Sequence, residues 1–182
     1  MNNRIKGFLT KCLWVVIIVF IAEYFILGIN SPYELFSMCG EAISITLVIM
    51  VGLYNCILWR YNPFEKTPKL KGKYDGKIEY YQFDDYMKKD IEVTIEQTLL
   101  SIRVNITTNE ITSSTIISSI EKENNQDVLY YTYITNPKNR YSQENPIQYG
   151  TCRLLITDKG VLTGVYWTSR NTSGDIELKR HI

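Results

Sequence analysis

The chain has 182 residues, 45% of them hydrophobic, with 20 Lys and Arg against 19 Asp and Glu and a formal net charge of +1. That balance hides two unlike parts: residues 1–71 carry 7 basic and 4 acidic side chains, whereas residues 72–182 carry 13 and 15. The second part therefore lacks the cationic surface of a protein that binds DNA or RNA polymers, and any anion it takes must be held by a few placed cations.

Two apolar runs come first, roughly Phe8 to Ile29 and Ala42 to Trp59. A bilayer core of about 30 Å needs about 20 mostly apolar residues in a helix. The first run is too long for a signal peptide, and no small-x-small cleavage site follows it before Asn30. Residues 1–61 are predicted to form a two-helix transmembrane hairpin. Arg4, Lys6 and Lys11 precede the first helix, and Arg60, Lys66, Lys69, Lys71 and Lys73 follow the second. The connecting stretch from Asn30 to Glu41 has no basic residue, only Glu34 and Glu41. Basic residues stay on the cytoplasmic side, so both termini are expected inside and the short loop outside. Glu23 is the odd residue, a carboxylate within apolar sequence; either it has a function or it is protonated or reaches the outer interface.

Residues 62–71 form a linker rich in proline and lysine. Beyond it the apolar period becomes two. Ile91, Val93, Ile95 and Gln97 alternate with acids and threonine, and Leu100, Ile102, Val104 and Ile106 continue the alternation. Strict alternation marks strands with one buried face. Runs at roughly 72–83, 90–98, 99–108, 110–121, 127–135, 148–157, 160–169 and 174–181 give eight strands. Turn residues separate them, among them Phe83-Asp84-Asp85, Thr108-Asn109, Asn124-Asn125, Asp158-Lys159-Gly160 and Asn171-Thr172-Ser173-Gly174. Short connections demand antiparallel neighbours. The predicted fold for 72–182 is an eight-stranded antiparallel up-and-down β-barrel, with a sandwich as the alternative.

Parity along these strands places Tyr74, Gly76 and Tyr80 inside, with Gln97 and then Thr112, Ser114 and Ser118. Leu129, Tyr131, Tyr133 and Thr135 follow, then Gly164, Tyr166, Thr168 and Arg170, and finally Arg180. Hydroxyls and two arginines suit a polar, anionic, planar ligand, because tyrosines stack on bases and arginine forks onto phosphate. The plainer reading is that the arginines reach solvent, the Thr/Ser run is β-propensity and the tyrosines fill the interior. Arg103 and Arg153 have polar or ambiguous parity. One histidine, His181, and four cysteines (Cys12, Cys39, Cys56 and Cys152) show no metal-ligand spacing or disulfide framework. No metal or other cofactor is expected. No nucleophile–base pair or phosphate loop is present, so no catalytic residue is expected either.

The order of parts, together with particular motifs, resembles the two-transmembrane, β-strand-rich effectors of bacterial CBASS antiphage defence, the CD-NTase-associated membrane effectors. The residues that carry it are Gly72-Lys73-Tyr74-Asp75-Gly76, Leu129-Tyr130-Tyr131-Thr132-Tyr133 with Asn136-Pro137, Tyr149-Gly150-Thr151, and above all the stretch from Leu162 to Arg180. The resemblance implies a multi-pass protein of the bacterial inner membrane that harms the cell on activation. Its barrel would bind a cyclic dinucleotide made by a cognate nucleotidyltransferase. It would then assemble into a homo-oligomer whose helices disrupt the lipid bilayer. By motif, Tyr74, Tyr131, Tyr166, Thr168, Arg170, Thr172 and Arg180 are its implied candidates. A membrane-tethered carrier of a lipid or other small amphiphile is the competing reading, and it expects a more continuously aliphatic inner face.

Overall fold

The computed structural model describes residues 3–28, 31–82, 85–143, 145–157 and 160–181. The predicted turn positions Phe83, Asp84, Asp158 and Lys159, the helix end at Ile29 and the loop residue Asn30 lie outside the described residues. The chain divides into two compact units, Met1–Thr67 with Thr98–Leu100, and Pro68–Gln97 with Ser101–Ile182.

In the first unit α1 spans Asn3–Leu27 and α2 spans Pro32–Leu47, which continues in wider π-type turns over Val48–Tyr54. Arg4–Leu27 and Pro32–Tyr54 are each long and apolar enough to cross a membrane. The second helix starts at Pro32, not Ala42, because a capping signal precedes the apolar run. The Ser31 hydroxyl accepts the Glu34 N–H at 3.2 Å, Pro32 takes the first turn, where its missing N–H costs nothing, and Glu34 faces the positive helix end. Most of the stretch expected as an outer loop is therefore helical, and Glu34 and Glu41 belong to the second span. Met38, Ala42, Thr46 and Met50, four apart, make its buried face. After the hairpin, Lys11 Nζ donates to Glu65 Oε2 at 2.7 Å and Thr67 Oγ1 donates to Glu65 Oε1 at 2.8 Å. Burial raises the Glu65 pKa, but these two donors outweigh it and hold the carboxyl below its ordinary value.

The second unit is a closed barrel in which each strand pairs antiparallel with the next and β8 returns to β1. The strands are β1 Gly72–Gln82, β2 Asp85–Gln97, β3 Ile102–Thr107, β4 Ile111–Glu123, β5 Gln126–Pro137, β6 Tyr149–Ile156, β7 Val161–Thr168 and β8 Ser173–Arg180. Closure removes the sandwich alternative. β2 begins five residues before its alternating part, at Asp85 rather than 90, because Asp85–Asp90 pair with Lys77–Gln82 where both hairpin faces are largely open to solvent. Such a stretch shows no apolar period.

Alternation is kept inside the tube. Ile91, Val93, Ile95, Val104, Ile106, Leu129, Leu154, Leu162, Ile176 and Leu178 form one buried cluster with Tyr74, Tyr131 and Tyr133. Each fully buried aliphatic side chain stabilises the fold by about 1.5–3 kcal/mol. The middle of the barrel is thus filled by side chains and is more aliphatic than the parity reading suggests.

One strand breaks the parity. Thr115 pairs with Tyr133 and Ile117 with Thr132, so Ile116 is an extra residue, a β-bulge in β4. The bulge shifts the inner set by one: Ser113 is 4% exposed, while Thr112 and Ser114 face outward and are exposed. Beyond the bulge Ser118 is again on the inner side, opposite Tyr131. β3 and β4 share only three paired positions, Asn105–Thr107 with Thr112–Ser114. Past them, side chains replace the ladder. Thr115 Oγ1 accepts from the Val104 N–H at 2.8 Å and donates to the Val104 carbonyl at 2.9 Å, and Ser118 Oγ donates to the Ile102 carbonyl at 2.6 Å.

Candidate ligand-binding site at the barrel mouth

The barrel has two ends of different character. At the base, where β1 starts at Gly72 and β8 stops at Arg180, three residues expected to hold a ligand hold the chain itself. Gln97, 5% exposed, accepts the Leu70 and Lys71 N–H groups at 2.7 and 3.2 Å and donates to the Pro68 carbonyl at 2.7 Å. The Tyr74 hydroxyl, buried, donates to the Leu70 carbonyl at 2.8 Å. Arg180 Nη2 donates to the Lys71 carbonyl at 2.6 Å. Together they strap residues 68–71 across the base. Burial raises the Tyr74 pKa, and the Arg180 charge partly offsets this.

Arg170 lies at the other end. It is exposed in the β7–β8 turn, so a whole strand, β8, separates it from Arg180. Eight residues at about 3.3 Å each set the two guanidinium groups at opposite ends of the tube. The expected pair of interior arginines is therefore corrected: neither side chain is enclosed, and they stand at opposite ends of the barrel.

In the middle, Tyr131 is 1% exposed, opposite Cys152 on β6. Burial pushes its phenol well above the usual range and the Cys152 thiol up to about 12. Both are neutral packing groups near pH 7. Tyr133 stands one step nearer the mouth with its pKa also raised by burial, and its ring covers Gly150, where a Cβ would overlap it.

Polar groups accumulate at the mouth. Ser113, Thr135 and Gln148 come together across β4, β5 and the start of β6. Thr135 N–H donates to the Gln148 carbonyl at 2.9 Å, and Gln148 N–H donates to Thr135 Oγ1 at 3.0 Å. Ser113 Oγ and Gln148 Oε1 are shielded from solvent with no hydrogen-bond partner among the described residues. Shielded polar atoms without partners cost about 1–3 kcal/mol each, which marks places where a ligand's polar edge would be favoured.

At the same end, a groove of about 420 Å³ over β1, β2, β7 and β8 is lined by Tyr80, Tyr81, Tyr86, Tyr166 and Trp167, with the carboxylates Glu79 and Asp175 among them. The Tyr81 and Tyr86 rings meet edge-on at 5.7 Å between centroids. Gly174 floors the groove; a Cβ there would come within 2.9 Å of Tyr166 Cε1 and Tyr80 Cβ. Burial pushes the Tyr166 phenol up to about 12, so it offers a neutral hydroxyl. The following turn is internally bonded: Thr168 and Thr172 hydroxyls meet at 2.6 Å, the Arg170 N–H donates to Thr168 Oγ1 at 3.3 Å, and Asn171 takes a φ of 58°. Arg170 is exposed in this turn, three residues past Trp167 of the groove.

Of the sequence candidates, the mouth gathers Tyr133, Tyr166, Thr168 and Arg170; Tyr74, Gln97 and Arg180 go to the base, Tyr131 to the core, and Thr112 and Ser114 to the outer face. Parity reasoning missed Ser113, hidden by the bulge, Gln148, which precedes its strand, and Tyr81, Tyr86 and Trp167, which have outward parity but line the rim groove. Arg153, on the outer side, pairs with Glu123 at 2.5 Å.

Residues 65–180 match the family described as Cap15, cyclic dinucleotide receptor domain. The chain belongs to the Cap15 family. It is also 32% identical to CD-NTase-associated protein 15 of Staphylococcus schleiferi over 183 aligned positions, 99% of each chain. The alignment thus covers the apolar hairpin as well as the barrel, which agrees with the resemblance read from the sequence. Cap15 domains are receptors of cyclic dinucleotides by description.

Proposed function

We propose that this chain is a membrane-anchored CBASS effector that binds a cyclic dinucleotide at the barrel mouth and acts without catalysis. The observation that carries the reading is that one end of the barrel holds the groove of Tyr80, Tyr86, Tyr166 and Trp167, the shielded Ser113 and Gln148 atoms that lack partners among the described residues, and Arg170 in the β7–β8 turn. Bases stack on the rings, the shielded polar atoms meet a base edge, and the guanidinium meets a phosphate. The ligand comes from a cognate CD-NTase. The hairpin crosses the bacterial inner membrane with both termini cytoplasmic, where such a ligand is made. Binding favours a homo-oligomer, which requires tighter binding by the assembled form, and the assembled helices breach the bilayer. The side-chain filling of the tube disfavours the lipid-carrier reading, which needs a chamber for an acyl chain.

The test is titration of full-length protein in detergent micelles with 3′,3′-linked cyclic dinucleotides, wild type against Tyr166→Ala and Arg170→Ala. Saturable binding by the wild type that weakens in both variants is expected. Equal affinity in all three would remove the mouth as the site.

A further inference from the structure

The turn between β2 and β3 belongs to the first unit, with the hairpin. The chain leaves the barrel unit after Gln97, spends Thr98–Leu100 in the hairpin unit and returns at Ser101. Leu99 is 4% exposed, in a cluster with Phe8 of α1, Met50 of the second span and the fully buried Trp59. Its N–H donates to the Asn55 carbonyl at 3.0 Å, and the Leu100 N–H donates to Asn55 Oδ1 at 3.2 Å. A leucine from a strand-to-strand turn is therefore a core residue of the membrane part.

Asn55 ends the irregular part of the second span. Val48–Tyr54 is π-wound, and the Asn55 N–H donates to the Met50 carbonyl, five residues back, at 2.9 Å. Such turns are rare and are frequent at functional positions. A helix end leaves its last carbonyls without intrahelical partners, and here the Leu99 N–H serves the one on Asn55. Taking one residue out of the π-winding would restore an α-helix and rotate everything beyond it by about 100°, one residue's share of a 3.6-residue turn. That rotation would carry Asn55 and Trp59 off Leu99. The segment has two discrete windings, and the seated turn favours one of them. The strand before the turn reaches the other end of the barrel. β2 runs thirteen residues, about 40 Å at about 3.3 Å each, from Asp85, next to the groove residue Tyr86, to Gln97. Gln97 also accepts the Leu70 and Lys71 N–H groups, so a shift of this strand end carries the linker after Thr67 with it.

We propose that the β2–β3 turn is a latch on the membrane hairpin. With Leu99 seated among Phe8, Met50 and Trp59 and the Leu99 and Leu100 N–H groups on Asn55, it holds the second span in its π-wound resting form. Ligand at the groove withdraws the turn through β2, and the span rewinds. The inference rests on the ligand-gated membrane output proposed above and names the part that gates it.

Amide hydrogen exchange of the full-length wild type in detergent micelles tests the latch, with and without a mixture of 3′,3′-linked c-di-AMP, c-di-GMP, c-di-UMP and cyclic GMP–AMP. The Leu99 and Leu100 amides should exchange about tenfold faster with the mixture, an opening made easier by ~1.4 kcal/mol. Val93, paired on both sides in β2, should keep its rate. Saturable binding with unchanged rates at Leu99 and Leu100 overturns the latch and leaves the ligand-gated reading standing. Absence of binding overturns both. A second measurement reads the output. In dye-loaded vesicles of phosphatidylethanolamine and phosphatidylglycerol, Leu99→Ala should leak before any nucleotide is added, while Leu100→Ala, whose side chain is exposed, should stay as tight as wild type. Leu99→Ala protein that binds the mixture yet stays tight without it, or equal leak from both variants, sinks the proposal.

Discussion

Residue identity and residue role separate most clearly at the three polar candidates of the base. Gln97 spends both ends of its amide on the backbone of residues 68–71. Gln97→Leu leaves two backbone N–H groups and one carbonyl without partners at a buried site. It should destabilise the barrel by about 2–4 kcal/mol, since each such loss costs about 1–3 kcal/mol and solvent relieves part of it. Thermal unfolding should record this while ligand affinity stays close to wild type. Arginines divide the same way. Arg170→Ala should weaken cyclic dinucleotide binding about 10–100-fold, the loss of a charge-assisted contact of about 1.5–3 kcal/mol, with little change in melting temperature. Arg180→Ala should do the opposite, lowering stability by about 1 kcal/mol through its exposed bond to Lys71 while sparing affinity. Calorimetric titration and unfolding of the same preparations check both; an affinity loss at Arg180 equal to that at Arg170 would refute the division.

Single elements decide which residues share a face. The bulge at Ile116 turns Ser113 inward and Thr112 and Ser114 outward, and no period-2 count along β4 can place it. Its cost is met by Thr115, whose hydroxyl supplies both a donor and an acceptor to Val104. Thr115→Val keeps the shape and removes both bonds. The expected loss is about 1–3 kcal/mol, with faster amide hydrogen exchange at Val104 than at the fully laddered Val93. Unchanged exchange at Val104 would mean that the backbone pairs directly there. On α2, the Ser31-Pro32-Tyr33-Glu34 cap was legible in the sequence, yet hydropathy alone put the helix start at Ala42. Capping chemistry and apolar length answer different questions: the first says where a helix can begin, the second how much of it lipid will accept.

At the scale of the whole molecule, one prediction concerns orientation. A C-terminal reporter should behave as cytoplasmic and one inserted after Gly28, between the two helices, as external, because the basic residues flank the hairpin on one side only. A periplasmic C-terminus would end the reading of the barrel as a sensor of cytoplasmic nucleotides. The eight strands, their antiparallel order and the two apolar helices were legible because local patterns specify them. Period-2 alternation, short Asn- and Gly-rich turns and runs of about 20 apolar residues each report on neighbours a few positions away. Family membership was legible for a related reason, since the Leu162–Arg180 stretch combines strand, turn and strand in one segment. The site was not so legible. Parity says that a side chain points inward, but not at which height in the tube, whether the strand has slipped by one, or whether a backbone strap already holds it. Arg170 and Arg180 stand ten positions apart in one motif, yet β8 carries them to opposite ends. Ser113 and Gln148 stand 35 positions apart, and the β4–β5–β6 register brings them to one rim. Long-range register and closure are properties of the assembled sheet, so they alone decided which polar residues the barrel keeps for itself and which stand at its open rim.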